Sequence, residues 1–299
     1  MRIIQLSDVH IWRYSYNPLH LINKRLIGIA SLLAGRAANF RLERLDAVVE
    51  RISQLDPDHL LITGDLTTTA LPAEFRDVQQ ALGPLLRDPN RVSVVPGNHD
   101  RYTSGSVRSR KYEAHFGQYA PAKGFPWLRW ISPDTAILGL DPTRSHLSAR
   151  GLLPEGQFAA ARQILAECPT RPRRLIVACH YPLVAPANYA HELKPKRMRN
   201  ADEVAAWLGG VGPHLYCCGH VHAAWAFVPP LIPNQICLNS GAPLLRDPTG
   251  LRPPGFLEIE LNHAGISVHH HAWVGQDWEV RPIYQNPAFF EVEASLEAE

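Results

Sequence analysis

Short apolar runs alternate along this chain with longer segments in which apolar residues recur at helical spacing. Runs of four to six residues that are rich in Val, Ile and Leu predict buried strands. These runs lie at residues 2–6, 59–63, 92–95, 135–140, 175–178, 215–218 and 236–239. Apolar residues spaced by three and four predict helices at residues 42–55, 72–86, 154–167 and 200–208. Such alternation is typical of an α/β protein, and seven strands are enough for two sheets.

The pattern becomes strand-like after Pro253, where residues 256–261 and 266–273 predict two further strands. The final stretch, residues 276–299, predicts a peripheral C-terminal tail. The sequence contains no internal repeat and no linker that would separate two cores. We therefore expect one domain over residues 1–275, followed by the tail.

The composition is that of an ordinary globular protein. The 299 residues are 45% hydrophobic and 19% charged, with a formal net charge of +2. These values exclude a low-complexity disordered chain and a collagen. A dedicated non-specific nucleic-acid binder needs an excess of Lys and Arg to displace counterions from phosphates, so the near-neutral total argues against nucleic acid as a partner.

The cysteines and the N-terminus indicate a reducing compartment. The five cysteines are an odd number without C-x-x-C spacing, which predicts reduced thiols rather than disulfides or a thiolate zinc site. Asp8 follows the N-terminus too closely for a signal peptide, and no run of about 18 apolar residues occurs. We therefore expect a cytoplasmic location.

Five of the predicted strands are followed by residue types that bind metal ions. The clusters are Asp8-Val9-His10, Gly64-Asp65, Gly97-Asn98-His99-Asp100, His180-Tyr181-Pro182 and Gly219-His220-Val221-His222. The carboxyl ends of parallel strands lie at one edge of a sheet, where α/β proteins build their sites. Carboxylate, imidazole and amide oxygen ligands suit manganese, iron or zinc. Seven candidate ligands are too many for one tetrahedral ion, but they fit a pair of ions that clamps a phosphoryl group.

These five blocks, in this order, resemble the signature of the calcineurin-like metallophosphoesterases, which reads D-x-H, G-D, G-N-H-[DE], a lone His and G-H-x-H. The resemblance covers about residues 8–222, with a further similar stretch at Asn239-Ser240-Gly241. It implies an α/β fold in which two mixed β-sheets pack as a sandwich flanked by helices. It also implies a dinuclear metal site at one edge of that sandwich.

The resemblance further implies a role for each residue of the blocks. The ligands of one metal ion would be Asp8, His10 and His222, and those of the other would be Asn98, His180 and His220, with Asp65 bridging the two. A hydroxide that bridges the ions would attack phosphorus. His99 would protonate the leaving oxygen, and Asp100 would orient the imidazole of His99.

Three functions remain open at this point. The blocks are most similar to the bacterial branch that contains cyclic-nucleotide phosphodiesterases. A sister branch hydrolyses the pyrophosphate bond of a lipid precursor, but it typically reads Gly-Asn-Arg-Asp where this chain has His99 in the third position. A non-catalytic metal-binding scaffold is the alternative of another class, although no ligand has been lost here. We expect a phosphorylated small-molecule or lipid substrate, while monoester or diester preference, metal identity and oligomeric state stay open.

A basic insert, residues 13–41, directly follows the first ligand pair. Residues 9–42 contain five Lys or Arg and no Asp or Glu. Five apolar positions in it repeat at helical spacing, namely Leu19, Ile22, Leu26, Ile29 and Leu33. Such an apolar stripe either packs on the domain or a second copy, or contacts the inner face of the membrane, where basic residues favour anionic head groups.

Overall fold

The computed structural model describes residues 1–14, 25–33, 36–145, 148–263 and 265–291. Within these residues the chain forms two six-stranded mixed sheets that pack face to face, with helices on both outer faces. The α/β sandwich expected from the sequence is therefore confirmed.

The first sheet contains three parallel strands and an antiparallel extension. Its strands are β1 (Arg2–Leu6), β2 (His59–Ile62), β3 (Val92–Val94), β10 (Gly255–Leu261), β11 (Ile266–Val274) and β12 (Asp277–Asn286). They lie in the order β12-β11-β10-β1-β2-β3. Strands β1, β2 and β3 are parallel, whereas β10, β11 and β12 follow as an antiparallel meander.

The second sheet has four parallel strands with an antiparallel strand at each edge. Its strands are β4 (Trp127–Ser132), β5 (Thr135–Gly139), β6 (Arg174–Ala178), β7 (His214–Cys218), β8 (Ala224–Phe227) and β9 (Gln235–Ser240). They lie in the order β4-β5-β6-β7-β9-β8. Strands β5, β6, β7 and β9 are parallel, so their carboxyl ends point to one edge of the sheet.

The described helices connect the strands across the outer faces. They are α1 (Arg25–Leu33), α2 (Leu45–Leu55), α3 (Pro72–Ala81), α4 (Ser104–Arg108), α5 (Lys111–Phe116), α6 (Glu155–Ala166), α7 (Ala187–Leu193) and α8 (Ala201–Gly209). Helices α2, α3 and α5 cover the first sheet, and α6 and α8 cover the second. None of the helices in the described part of the chain is long and apolar enough to cross a bilayer.

Both faces of the central strands are buried, which explains their continuous apolar runs. In β1, Ile3 faces the core between the two sheets, while Ile4 and Leu6 face the helices that cover the first sheet. Gln5 is a buried polar residue in the same strand, and its Nε2 donates to the carbonyl of Cys218 at 2.8 Å. This bond joins the end of β1 to the end of β7 and so draws the carboxyl edges of the two sheets together.

All nine strands predicted from apolar runs are present, but three edge strands were missed. These are β4, β8 and β12, and the short helices α4, α5 and α7 were missed as well. The segment 276–299 was expected to be a peripheral tail, whereas residues 277–286 form β12 and pair with β11. An edge strand carries polar residues and even Pro282, so its sequence signal is weak. Residues 292–299 lie outside the described residues.

Candidate metal centre

The predicted ligands meet where the carboxyl edges of the two sheets adjoin. The loops after β1, β2 and β3 contribute from the first sheet, and those after β6 and β7 contribute from the second. Hydrogen bonds cross between the sheets at this edge. The backbone N–H of His220 donates to both carboxylate oxygens of Asp8, at 3.2 and 3.0 Å, and His180 Nδ1 donates to the carbonyl of Thr63 at 2.8 Å. The sandwich therefore fixes the two halves of the site relative to each other.

Five of the seven predicted ligands have left-handed backbone conformations. The φ angles are 54° at Asp8, 51° at His10, 52° at Asp65, 73° at His220 and 59° at His222. A positive φ is uncommon in residues with a side chain and costs about 1 kcal/mol or more for each. Such strain persists only where the surrounding structure over-determines it, and it is concentrated at functional sites. Each sharp turn aims a side chain back toward the edge of the sheets.

The first ligand group combines Asp8, His10 and His222. Nε2 of His222 lies 3.2 Å from Oδ1 of Asp8 and 3.1 Å from Nε2 of His10. Asp8 and His10 are fully buried, whereas the side chain of His222 is 23% exposed. One carboxylate and two imidazoles that converge in this way form a set that can hold one divalent cation.

The second ligand group combines Asp65, His180 and His220. Nδ1 of His180 donates to the carbonyl of Thr63, so the lone pair of the neutral ring is on Nε2. This Nε2 lies 3.2 Å from Oδ2 of Asp65. Nε2 of His220 donates to the carbonyl of Lys196 at 3.2 Å, which leaves Nδ1 as the atom with a lone pair for a cation. All three side chains are buried. Carbonyl groups therefore select the tautomer of each histidine, as is usual around metal sites.

The buried amide of Asn98 supports a metal site independently. Its Oδ1 is buried and has no hydrogen-bond partner among the described residues. An unpaired buried acceptor costs about 1 to 3 kcal/mol, and a cation at this position would remove that cost. Asn98 thus fits its predicted role as a ligand, and the seven residues together have the hard and borderline donors that manganese, iron and zinc accept.

Asp65 belongs to the second ligand group and also lies close to His10 of the first. Its Oδ2 is 3.2 Å from His180 Nε2 and 3.7 Å from His10 Nε2, and its Oδ1 accepts from the backbone N–H of His99 at 2.7 Å. Burial alone would raise the pKa of Asp65, but the rings of His180, His99 and His10 hold that pKa well below its usual range. Asp65 is therefore an ionised carboxylate that lies within 3.7 Å of one histidine from each ligand group.

His99 faces the same centre from the side. One of its ring nitrogens lies within 4.8 Å of the ligand atoms of His10 and Asp65. Its Nδ1 donates to the carbonyl of Thr68 at 2.6 Å, and its ring stacks on Tyr102 with the centroids 5.4 Å apart. The imidazole is held on one edge by a carbonyl and on one face by an aromatic ring, which fixes its direction.

Asp100 accepts hydrogen bonds from the backbone of the loops after β2 and β3. Its Oδ2 accepts from the N–H of Gly97 at 2.9 Å, and its Oδ1 accepts from the N–H of Thr67 at 2.9 Å. The imidazole of His99 donates from Nδ1 to the carbonyl of Thr68, and this bond fixes the direction of the ring. Asp100 thus joins the loop after β2 to the loop after β3, and its role in orienting the His99 ring stays a prediction. Burial and the charge of Asp65 raise the pKa of Asp100 to about 6.

A buried amide supports the loop that carries His220 and His222. Asn239, in β9, donates from Nδ2 to the carbonyl of Gly219 at 2.6 Å and accepts at Oδ1 from the N–H of Gly241 at 3.1 Å. The sequence indicated Asn239 only because Asn239-Ser240-Gly241 is similar to a stretch of the calcineurin-like family. The structure gives the physical reason, since this bond fixes the turn from which both histidines project.

Two glycines at the site allow the backbone to approach the carboxylates closely. A Cβ atom at Gly97 would lie 2.1 Å from Oδ1 of Asp65, and one at Gly219 would lie 2.0 Å from Oγ of Ser7 and 2.4 Å from Oδ2 of Asp8. Real Cβ atoms do not make such contacts, so a side chain at either position would displace a predicted ligand.

We expect Gly219→Ala to weaken metal affinity by about 10 to 100-fold, because the added methyl group displaces Asp8. Isothermal titration of the metal-free variant with Mn²⁺ measures this loss. Gly156→Ala in α6 is the matched control, since a Cβ there meets no atom within 4 Å. Equal affinities for the two variants would contradict the close approach at Gly219.

The basic insert forms a wall of the site. Its residue Phe40 is buried, with its ring centroid 4.9 Å from that of His10. Backbone bonds hold this part of the insert to the loop after β9, namely from Arg41 N to Leu244 O at 2.7 Å and from Arg246 N to Asn39 O at 2.6 Å. The insert directly follows His10 in the sequence, and the structure shows that its residue Phe40 contacts the ring of His10.

Several arginine side chains of the insert form ion pairs or hydrogen bonds with described residues of the domain. Arg13 pairs with Asp77, Arg41 with Glu43, and the buried Arg25 donates to the carbonyls of Thr69 and Ala70 at 3.0 Å each. Of the predicted apolar stripe, Leu26 is 49% exposed, and its neighbour Ile27 is 59% exposed. Leu19 and Ile22 lie outside the described residues. Helix α1 is thus anchored on the domain by its first residue, while two of its apolar side chains face outward.

Comparisons with known proteins agree with this geometry. Residues 1–224 match the family model described as calcineurin-like phosphoesterase. A probable cyclic nucleotide phosphodiesterase from Vesicomyosocius okutanii subsp. Calyptogena okutanii (strain HA) is 32% identical over 109 residues, which are 36% of this chain and 37% of that protein. The match therefore spans little more than a third of the length of that relative.

Two solved structures are similar over almost the whole chain. A dimetal phosphatase from Danio rerio has a TM-score of 0.57 at 14% identity, with 95% of this chain and 99% of that chain covered. The purple acid phosphatase PPD1 from yellow lupin (Lupinus luteus) seeds has a TM-score of 0.59 at 15% identity, with 94% of this chain and 53% of that chain covered. At such identities the likeness shows the fold alone.

Proposed function

Because the chain belongs to the calcineurin-like phosphoesterase family, we propose that it is a metal-dependent hydrolase of phosphodiesters. The observation that carries this proposal is the pair of adjoining ligand groups, Asp8-His10-His222 and Asp65-His180-His220, with the ring of His99 beside them. A diester rather than a monoester is favoured by the probable cyclic nucleotide phosphodiesterase to which part of the chain is similar.

Each ligand group has a defined role in this proposal. In this proposal Asp8, His10 and His222 would hold one ion, Asn98, His180 and His220 would hold the other, and Asp65 would be a ligand of both. Two such ions, when bound, supply a hydroxide near neutral pH and neutralise charge on the phosphoryl oxygens. Manganese, iron and zinc all fit these donors.

The residues of the chain supply the remaining chemistry. His99 donates a proton to the departing oxygen, because Thr68 holds its Nδ1 and one of its ring nitrogens lies within 4.8 Å of the ligand atoms of His10 and Asp65. Phe40 and Tyr102 are apolar walls on the two sides of the histidines and restrict the directions from which a substrate and water enter. Asp100 fixes the loop that carries Asn98 and His99.

A substrate screen with metal removal tests the proposal. Protein loaded with Mn²⁺ is expected to hydrolyse bis(p-nitrophenyl) phosphate and cyclic 3′,5′-nucleotides, and to lose this activity after chelation with recovery on adding Mn²⁺ back. The same chelation should lower the melting temperature by about 5 °C or more, since the ions bind only the folded chain. Phosphomonoesters and nucleoside-diphosphate lipids belong in the screen, because exclusive hydrolysis of either would contradict the diester assignment.

Peripheral membrane contact is a second candidate property, carried by the outward-facing Leu26 and Ile27 of α1. Sedimentation with vesicles of anionic lipid at low salt tests it. Binding that disappears in the double variant Leu26→Glu and Ile27→Glu supports the contact. Parent protein that remains in the supernatant rules it out and leaves α1 as part of the domain or of an interface between two copies.

A further inference from the structure

A buried glutamate, Glu74, is connected through one peptide group to His99, the proposed proton donor. Glu74 is the third residue of α3 and is fully buried. Its Oε2 accepts from the N–H groups of Thr69 and Leu71, at 2.9 and 3.1 Å. Its Oε1 accepts from the hydroxyl of Thr69 at 3.0 Å and from the N–H of Arg13 at 3.3 Å. The carboxylate is thus surrounded by four donors.

Helix capping explains only part of this arrangement. A glutamate at the third helical position commonly reaches back to the N-cap backbone, and the bond from Leu71 N–H is of that kind. The two bonds from Thr69 lie outside the helix, in the loop after β2. Burial raises the pKa of Glu74 to about 7, and the hydrogen bonds from Leu71, Thr69 and Arg13 oppose that rise.

The N–H of Thr69 and the carbonyl of Thr68 belong to the same peptide group. Glu74 accepts from the N–H end of this group, and the carbonyl end accepts from Nδ1 of His99 at 2.6 Å. A carboxylate that accepts from a peptide N–H polarises the peptide and makes its carbonyl a stronger acceptor. A continuous chain of hydrogen bonds therefore runs from the Glu74 carboxylate through one peptide to the His99 imidazole.

The neighbouring residues hold this peptide from both sides. Arg25 donates to the carbonyls of Thr69 and Ala70, and Ala70 has a left-handed φ of 55°. On the other side, the N–H of Thr67 donates to Asp100 at 2.9 Å. The peptide between Thr68 and Thr69 is thus fixed in orientation, and its carbonyl points at the imidazole.

We propose that Glu74 is a positioning residue for the reaction, and that it acts on His99 through the peptide group between Thr68 and Thr69. This inference rests on the proposed role of His99 as the proton donor. The carboxylate fixes the peptide through the N–H of Thr69, and the carbonyl of Thr68 at the other end of that peptide fixes the direction of the His99 ring. Glu74 therefore acts on His99 without touching the ring itself.

A double-mutant cycle of Glu74→Gln and His99→Ala tests the proposal. Activity is measured on two aryl phosphodiesters of equal size, one with a p-nitrophenolate leaving group and one with a phenolate. Glu74→Gln is expected to slow the phenolate substrate by about 10-fold and the p-nitrophenolate substrate by less than about 3-fold. In the His99→Ala background it should have no further effect, since the group through which it acts is absent. A loss that is equal for both substrates, or that adds to His99→Ala, would overturn the proposal.

Glu258→Gln is the matched control. Glu258 is also a buried carboxylate that accepts hydrogen bonds, from His271 and Arg2, but it lies on β10. Its replacement should affect both substrates alike. Thr69→Val is the second variant if Glu74→Gln fails to fold, because it removes the hydroxyl donor to Glu74 and keeps the shape of the side chain. It should slow the phenolate substrate more than the p-nitrophenolate substrate, by a smaller factor than Glu74→Gln.

Proton NMR of the metal-free protein separates failure of this inference from failure of the proposed function. The Nδ1–H of His99 should give a downfield resonance that is absent in His99→Ala and lost or broadened in Glu74→Gln. If His99→Ala slows both substrates equally, the assignment of His99 as acid fails, while loss of this resonance still shows that Glu74 orients the ring. A resonance that is unchanged in Glu74→Gln would overturn the positioning role whatever the kinetics show.

Discussion

Asp65→Asn is expected to lower kcat/KM by at least about 10³-fold and to lower the metal content of the purified protein. Asp65 is the carboxylate that lies within reach of both ligand groups, 3.2 Å from His180 Nε2 and 3.7 Å from His10 Nε2. The amide keeps the shape and still accepts from the N–H of His99, but it removes the negative charge that two neighbouring cations need. Several kcal/mol of charge stabilisation would be lost, and each 1.4 kcal/mol corresponds to about tenfold in rate.

Mass-spectrometric metal analysis and phosphodiester kinetics measure this effect. His10→Ala provides the comparison, because it removes a ligand from one group only, and it should retain more metal than Asp65→Asn. Asp46→Asn, at an exposed position of α2, is the control for loss of a carboxylate as such. Two ions per chain in Asp65→Asn would contradict the bridging role.

His99→Ala is expected to slow substrates with poor leaving groups by about 10²-fold or more and to retain both metal ions. A phenolate or alkoxide needs a proton as it departs, whereas p-nitrophenolate leaves without one, so the variant should hydrolyse the latter at close to the parental rate. The ring is set beside the ligand atoms of His10 and Asp65, yet its Nδ1 is held by Thr68 rather than by the metal groups.

The test is a plot of log kcat/KM against the pKa of the leaving group for parent and variant. The slope should be steeper for His99→Ala, and metal analysis should give equal contents. His263→Ala, an exposed histidine between β10 and β11, controls for removal of an imidazole. Parallel lines for parent and variant would show that His99 does not protonate the leaving group.

The main elements and the common location of the candidate ligands could be predicted because they depend on local order along the chain. Strands buried on both faces must be apolar throughout, so runs such as residues 2–6 and 175–178 were sufficient to place them. In parallel strands the carboxyl ends share one edge, and a ligand that follows such a strand must lie there. The blocks at Asp8, Asp65 and His220 followed this rule.

The roles of Thr68 and Glu74 could not be predicted in this way. Thr68 acts through its carbonyl group, which every residue has, and Glu74 in the sequence Pro72-Ala73-Glu74 indicates no more than the start of a helix. Their importance arises because the loop after β2 turns one peptide toward His99 and because α3 brings a carboxylate to its other end. The same loop geometry directs the carboxylate of Asp100 to the backbone N–H groups of Gly97 and Thr67.

The sequence by itself therefore determined the α/β class and the order in which the ligand blocks follow the central strands. It also determined the chemistry of the candidate metal donors, since residue type and spacing decide these properties. Only the tertiary structure decided which strands form the sheet edges, how far the insert reaches the site and which group orients His99. Edge strands such as β12 are defined by the partner that they pair with, and Phe40 reaches His10 through bonds to residues 244–246. The direction of a hydrogen bond depends on how distant segments turn and pack, and residue order alone does not specify that direction.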